Sequence, residues 1–121
     1  MPTIEHGGRF YEVDEKGFLV DGSQWDPSWI EHCKTVKVRY PDGSPCPYPV
    51  IACLNADGSL TDEHYKIINF LQEYHRKNGF APMARQISHS TNTPLGRIYE
   101  LFPAGPGKGA CMTAGLPVSG N

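Results

Sequence analysis

Residues 61–79, TDEHYKIINFLQEYHRKNG, carry the most regular pattern in the chain. Apolar side chains recur there at three- and four-residue spacing, as on the buried face of an amphipathic helix. The residues of this face are Tyr65, Ile67, Ile68, Leu71 and Tyr74. Thr61 is a favourable N-cap, Asp62 suits the positive end of the helix dipole, and Gly79 suits the left-handed residue that ends many helices. We therefore predict a helix over 62–77.

On the N-terminal side, residues 3–20 are predicted to form a β-hairpin. Strand-like sequences at 9–13 and 18–20 flank a turn sequence at 14–17. Gly17 can take the positive φ that such a turn requires. The two short strands would then pair with each other.

A short helix and a β-like insertion precede the central helix. Asp26 followed by Pro27 is typical of an N-cap and a first helical residue, which predicts a helix over 27–35. Residues 36–58 contain apolar runs and turn sequences, and they predict a second hairpin or an irregular β excursion. Three prolines at alternating positions from 45 to 49 exclude a regular central strand there.

Three further short helices are predicted after the central one, at 83–89, 94–102 and 108–114. Prolines and glycines supply the breaks between them. The last residues, 115–121, contain proline and glycine and are predicted to form an extended arm. All 121 residues are thus expected to form one domain of the α+β class, mostly α. Residues 61–114 would be the helical core of a small orthogonal bundle.

The composition is that of an ordinary globular protein, with 39% apolar and 20% charged residues. A formal net charge of −2 gives no bulk attraction to nucleic acid. The chain has no apolar run long enough to cross a membrane, so no membrane insertion is expected, and its N-terminus lacks the features of a secretory signal. A cytoplasmic location is expected, where the four cysteines would be thiols rather than structural disulfides.

Cys111 lies near the C-terminus on a glycine-rich segment, from which a thiol can reach the active site of a partner. Lys108 precedes it by three residues, so the two would share a face on a helix. A nearby cation and a helix N-terminus both lower the pKa of a thiol and favour the reactive thiolate. The alternative is a buried thiol that packs as a small apolar side chain.

The segment from Leu101 to Pro117, LFPAGPGKGACMTAGLP, resembles the C-terminal signature of the DsrC/TusE family of sulfur-relay proteins. This family includes the gamma subunit of dissimilatory sulfite reductase. Other blocks resemble the family in the same order along the chain. They are residues 13–19 with Trp25, 60–74, 82–85 and 98–103. The resemblance implies a mostly helical fold with an N-terminal hairpin and a mobile C-terminal arm, a sulfur-carrying role and no cofactor.

In the family's full form, two cysteines lie on the arm, and the terminal one receives sulfur as a persulfide. Cys111 matches the upstream cysteine, and residues 116–121, LPVSGN, contain no second one. Three interpretations remain open: a single-thiol carrier on Cys111, a regulator that binds the same partners, or a chain truncated before its last residues. In a further alternative, Cys46 or Cys53 folds back near Cys111 and replaces the missing partner.

The resemblance also implies the partners. They would resemble dissimilatory sulfite reductase, a membrane-associated heterodisulfide-reductase-like complex, or the sulfurtransferases of tRNA thiolation. The chain would be their protein substrate rather than a free-standing enzyme. Arg85 and Arg97 are candidates for holding a sulfur oxyanion or an acidic partner surface, because a guanidinium binds oxyanions bidentately. The sequence does not indicate the oligomeric state.

Two other chemistries fit the sequence less well. One set of side chains has the chemistry of zinc ligands but no paired C-x-x-C spacing, so no metal site is expected. Its members are His32, Cys33, Cys46 and Cys53. Two short helices joined at 90–93 resemble a helix-turn-helix in a locally basic region, which makes a non-catalytic, DNA-binding regulator the alternative function. The negative net charge argues against nucleic-acid binding.

Overall fold

A computed structural model describes residues 3–14, 17–36, 43–52 and 54–116, with the backbone alone for residues 107 and 108. These residues form an antiparallel hairpin, a 3₁₀ turn at Gly22–Gln24 and five helices. The elements are β1 (Thr3–His6), β2 (Arg9–Glu12), α1 (Pro27–Cys33), α2 (Asp62–Asn78), α3 (Ala84–Thr91), α4 (Leu95–Leu101) and α5 (Pro106–Cys111), the last wound as a π-helix. The predicted class, α+β and mostly α with an N-terminal hairpin, is confirmed.

The hairpin pairs different strands from those predicted. β1 pairs with β2, and the register joins Thr3 to Glu12, Ile4 to Tyr11, Glu5 to Phe10 and His6 to Arg9. The turn consists of Gly7 and Gly8, whose φ angles of 60° and 83° suit the two-residue turns that close tight hairpins. The predicted partner strand at 18–20 is reduced to a single bridge between Val13 and Leu19. The sequence prediction missed the two-glycine turn that pairs β1 with β2.

The described part of 36–58 forms no strand where a second hairpin was expected. Residues 37–42 and 53 lie outside the described residues. Val50 and Ile51 are buried in the core, so the apolar run packs as an irregular loop. The backbone N–H of Ala52 donates to the carbonyl of Leu101 at 2.8 Å, which ties this loop to the end of α4.

The starts of α1 and α2 confirm the predicted caps. The Asp26 carboxylate accepts a hydrogen bond from the backbone N–H of Trp29 at 3.1 Å. The Thr61 hydroxyl accepts from the backbone N–H of His64, and α2 ends at Gly79 with a φ of 80°. These local contacts satisfy backbone groups that a helix end leaves without partners.

The later helices are shifted by about one turn or less from the predicted ranges. α3 continues through Thr91, because the Thr91 hydroxyl donates to the carbonyl of Ile87 at 2.6 Å instead of breaking the helix. Asn92, with a φ of 53°, then ends α3 in the left-handed conformation. α5 begins at Pro106, two residues before the predicted start, and ends at Cys111.

A buried histidine joins the start of α2 to two other parts of the chain. His64 Nε2 donates to the carbonyls of Ala52 at 2.6 Å and Leu101 at 3.2 Å. Its Nδ1 lies 3.1 Å from the backbone nitrogen of Thr61 and accepts from it. Burial lowers the pKa of His64, and the neutral ring supplies the donor and the acceptor that these contacts need.

Candidate functional site

The C-terminal segment, residues 109–116, is buried along its whole length. Met112 and Thr113 are fully buried, and Leu116 is only 4% exposed. Gly115 and Leu116, which were predicted to belong to the arm, are instead buried in the core. Residues 117–121 lie outside the described part of the chain.

Three consecutive carbonyls of this segment each accept a hydrogen bond from a side chain. The bonds run from Trp29 Nε1 to Met112 at 2.7 Å, from Trp25 Nε1 to Thr113 at 2.8 Å, and from Gln72 Nε2 to Ala114 at 3.0 Å. We call Trp25, Trp29 and Gln72 the carbonyl clamp. These carbonyls lie just beyond α5 in a buried segment, where side-chain donors replace the water that would otherwise bind them.

The sequence positions the clamp through three different elements. Trp29 lies in the first turn of α1, Trp25 follows the 3₁₀ turn, and Gln72 lies on α2. The Tyr11 ring of β2 packs edge-on against Trp29, with ring centroids 5.3 Å apart. The Tyr11 hydroxyl also donates to Asp26, the N-cap of α1. The hairpin thus supports the indole that holds Met112 in place.

Two glycines allow the segment to approach its neighbours closely. A Cβ on Gly115 would lie 2.5 Å from Trp25 Cδ1, and the φ of Gly115 is 78°. A Cβ on Gly109 would lie 2.9 Å from the Cβ of Phe102. Larger residues at these two positions would push the segment off Trp25 and Phe102.

Cys111 is the last residue of α5, and its side chain is buried with 8% exposure. Burial raises the pKa of this thiol from 9.0 to about 11, so only about one molecule in ten thousand carries the thiolate at pH 7. Of the two interpretations of Cys111, a thiolate favoured by Lys108 and a helix N-terminus or a buried thiol that packs as a small apolar side chain, the structure shows the second. The pKa shift has the opposite direction to one that favours the thiolate, because burial removes the thiol from water and disfavours the charged thiolate. The side chain of Lys108 lies outside the described residues.

The other described cysteines are also buried free thiols. Cys33 Sγ lies 4.0 Å from the Met112 carbonyl, directly under the C-terminal segment, and burial raises the pKa of its thiol. Cys46 is 3% exposed, and Cys53 lies outside the described residues. Within the part of the chain that the structure describes, no three His, Cys, Asp or Glu side chains are grouped to hold a metal ion.

A cleft of about 560 Å³ opens beside the C-terminal segment. Ala114, Gly115 and Leu116 line one side, and Gln72, His75 and Arg76 of α2 line another. Two basic side chains of α2, His75 and Arg76, thus lie beside the segment.

The two arginines predicted to bind an oxyanion lie on the later helices. Arg97 donates to Glu63 through Nε and Nη2, with a shortest distance of 2.6 Å, and Arg97 Nη1 lies 3.5 Å from Glu100. These hydrogen bonds lower the pKa of Glu63 and engage the guanidinium with carboxylates. Arg85 lies exposed on α3. Arg97 thus links α4 to α2 through its ion pair with Glu63.

Comparisons with known proteins agree with this architecture. A family model described as DsrC like protein matches residues 50–120, more than half of the chain. The chain belongs to the DsrC family. The "Sulfite reductase, dissimilatory-type subunit gamma" of Nitratidesulfovibrio vulgaris is 41% identical over 117 residues, covering 97% of this chain and 94% of that protein. The "Sulfurtransferase TusE" of Escherichia coli is 26% identical, covering 91% and 90% of the two chains.

The fold is also that of DsrC proteins of known structure. The oxidized gamma-subunit of the dissimilatory sulfite reductase (DsrC) from Archaeoglobus fulgidus matches with a TM-score of 0.74 at 34% identity. The match covers 99% of this chain and 98% of that one. Among the described residues, no helix is both long and apolar enough to cross a bilayer.

The carbonyl clamp of this chain was not predicted from the sequence. From the sequence, Trp25 was named only as part of a family block, and neither Trp29 nor Gln72 was singled out. A signal was available, since a buried tryptophan N–H needs an acceptor and two tryptophans flank the start of α1. The sequence did not reveal that the acceptors lie 83 and 88 residues further along.

Weakening the clamp should make Cys111 more reactive. Gln72→Ala removes one hydrogen bond to the segment, a loss of about 1 kcal/mol that should raise the Cys111 alkylation rate about fivefold. The rate is measured with iodoacetamide by quantifying the Cys111-containing peptide. Asn69→Ala, at an exposed position of the same helix, is the matched control and should leave the rate unchanged. Equal rates in wild type and Gln72→Ala would contradict the role of the clamp.

The pH dependence of Cys111 alkylation should report its buried state. A thiol whose pKa is raised in the docked segment stabilises docking below pH 9, and this stabilisation is lost as the pH rises towards about 11. The alkylation rate should therefore rise about tenfold per pH unit beyond pH 9 and level off near 11. In urea-unfolded protein the Cys111 alkylation rate should level off near pH 9, because the thiol then has its ordinary pKa. The same plateau in both states would show that Cys111 is not held in the buried form.

Proposed function

We propose that this DsrC-family protein is a sulfur-relay protein that carries sulfur as a persulfide on Cys111. Family membership supports the proposal, as do relatives named as a sulfite reductase subunit and as a sulfurtransferase. The observation that carries it is the placement of Cys111 on a segment held by three side-chain hydrogen bonds. Such a segment can be stored in the core and released as a unit, with the whole chain acting as one domain.

The sulfur transfer needs no external oxidant or reductant. The Cys111 thiolate attacks the outer sulfur of a donor persulfide and forms a new S–S bond. The S–S bond of the donor breaks, and the donor leaves as a thiolate. The proton of the Cys111 thiol passes to solvent or to that departing thiolate. A second transfer of the same kind passes the sulfur from Cys111 to an acceptor.

Release of the C-terminal segment precedes this chemistry. In the docked segment, the Cys111 thiol is 8% exposed and has a pKa of about 11, so both access and ionisation are suppressed. Once the segment leaves the clamp, water restores the ordinary pKa of the thiol. We assign Lys108 to assist at this stage, where its cation would favour the thiolate.

The proposed partners are dissimilatory sulfite reductase and the sulfurtransferases, as the names of the relatives indicate. A heterodisulfide-reductase-like complex is a further partner within this proposal, and the cytoplasm is the proposed location. Arg85, which is exposed on α3, would contact an acidic partner surface. Arg97 would act there only by exchanging Glu63 for a partner carboxylate or a sulfur oxyanion.

The α3–α4 pair gives little support to the alternative of a DNA-binding regulator. In a helix-turn-helix protein the second helix would face the major groove with its cations available. Arg97 of α4 is instead engaged by Glu63 and Glu100, and Glu100 is itself exposed. A carboxylate on that helix would repel phosphate.

Incubation with a low-molecular-weight persulfide donor, followed by intact-protein mass spectrometry, tests the function. Wild type should gain one sulfur atom on the peptide that contains Cys111, and Cys111→Ser should gain none there. Cys46→Ser is the matched control, since it removes another buried thiol, and it should load like wild type. Absence of a gain on Cys111 under donor excess would refute the sulfur-carrier role.

A further inference from the structure

An aromatic cluster lies on the surface between α2 and α3, away from the C-terminal segment. Phe70 and Tyr74 pack with ring centroids 5.8 Å apart, and Tyr74 packs edge-on against Phe80 at the same distance. Met83 follows on the chain and is 75% exposed, while Phe80 is 54% exposed. We call Phe70, Tyr74, Phe80 and Met83 the aromatic patch.

Of these side chains, Phe70 is half-buried and packs against the core, whereas Phe80 and Met83 are not needed to fill it. The contact between α2 and α3 already contains Leu71 and Ile87, both 0% exposed. Phe80 and Met83 remain largely in water beyond it. Contiguous apolar surface of this kind, enriched in aromatic residues and methionine, is typical of protein–protein interfaces.

The patch is held in shape before any partner arrives. The Gln86 side chain accepts from the backbone N–H of Met83 at 2.9 Å and donates to the Tyr74 hydroxyl at 3.3 Å. This amide therefore links the start of α3 to the aromatic row on α2. A preorganised surface loses little conformational entropy on binding, which favours affinity.

The charges beside the patch indicate the chemistry of its partner. Arg85 is exposed next to Gln86, and Lys77 lies three residues after Tyr74 on α2. Lys77 pairs with Glu73 at 3.1 Å on a highly exposed surface, where such a pair contributes little and exchanges easily. The border of the patch thus suits an apolar surface edged with carboxylates.

The patch and the C-terminal segment lie on opposite flanks of α2. Gln72, which binds the segment, falls between Phe70 and Tyr74 in sequence. Residues two apart on a helix point about 160° away from each other. A partner that binds the patch would therefore leave the clamp side of α2 accessible.

From this arrangement we infer that the aromatic patch is the docking surface for the carboxylate-edged enzyme that exchanges sulfur with Cys111. The inference rests on the proposed relay function and adds a second contact to it. The patch holds the partner, and the released segment delivers the thiol from the other flank. Binding affinity and sulfur loading then depend on different residues.

Biolayer interferometry with dissimilatory sulfite reductase from Nitratidesulfovibrio vulgaris, depleted of its gamma subunit, tests the inference. Phe80→Asp and Met83→Asp should each weaken binding by about tenfold or more, as for central interface residues. Arg85→Glu should slow association, with the difference shrinking at high salt. Phe10→Asp is the matched control, since Phe10 is 70% exposed on β2, and it should bind like wild type.

Sulfur loading separates this inference from the relay function itself. The patch variants should load Cys111 from a low-molecular-weight persulfide at the wild-type rate and keep the wild-type melting temperature. Wild-type affinity in Phe80→Asp and Met83→Asp, an equal loss in Phe10→Asp, or no binding by wild type would overturn the docking surface. Failure of Cys111 to load in every variant and in wild type would instead refute the relay function.

Discussion

Hydrogen bonds from two tryptophan indoles to the C-terminal segment are the contacts on which the rest of the fold depends. Trp29 and Trp25 reach carbonyls 83 and 88 residues further along the chain, and Gln72 adds a third bond from α2. Tyr11 supports Trp29, so the hairpin, α1, α2 and the segment all meet at the clamp. A buried carbonyl without a donor costs about 1–3 kcal/mol. Movement of the segment away from the clamp would therefore leave these carbonyls without their side-chain donors unless water replaced them.

The same constraint governs the chemistry of Cys111. Docking places the thiol in an apolar environment that raises its pKa and blocks access, so stability of the fold and reactivity of the cysteine oppose each other. In the proposed relay, release of the segment allows the thiolate to form, and Lys108 then assists. A partner on the aromatic patch would hold the protein without covering the clamp, since the two surfaces lie on opposite flanks of α2. Binding and delivery can in this way be separate steps.

Local sequence signals predicted the elements that depend on neighbouring residues. The Thr61 cap, the apolar spacing of α2 and Gly79 placed that helix within one residue of its observed end, and Asp26 placed the start of α1. Contacts between distant residues escaped prediction. The pairing of β1 with β2 depended on the turn at Gly7 and Gly8, and the clamp depends on acceptors far along the chain. For Cys111 the sequence left a reactive thiolate and a buried thiol as alternatives, and it did not decide between them, because the spacing to Lys108 is visible in a sequence and burial is not.

Hydrogen exchange of the C-terminal segment, compared with alkylation of Cys111 at the same pH, tests the central claim most directly. The amides of Ala114 and Leu116 donate to the carbonyls of Ala110 and Cys111, so their exchange requires the segment to open. Both methods should give the same equilibrium constant for opening of the segment, when each measured rate is divided by the rate of the unfolded chain. Gln72→Ala should also raise both constants together. Alkylation of Cys111 faster than the segment opens would show that the thiol reacts while docked, and would contradict the account.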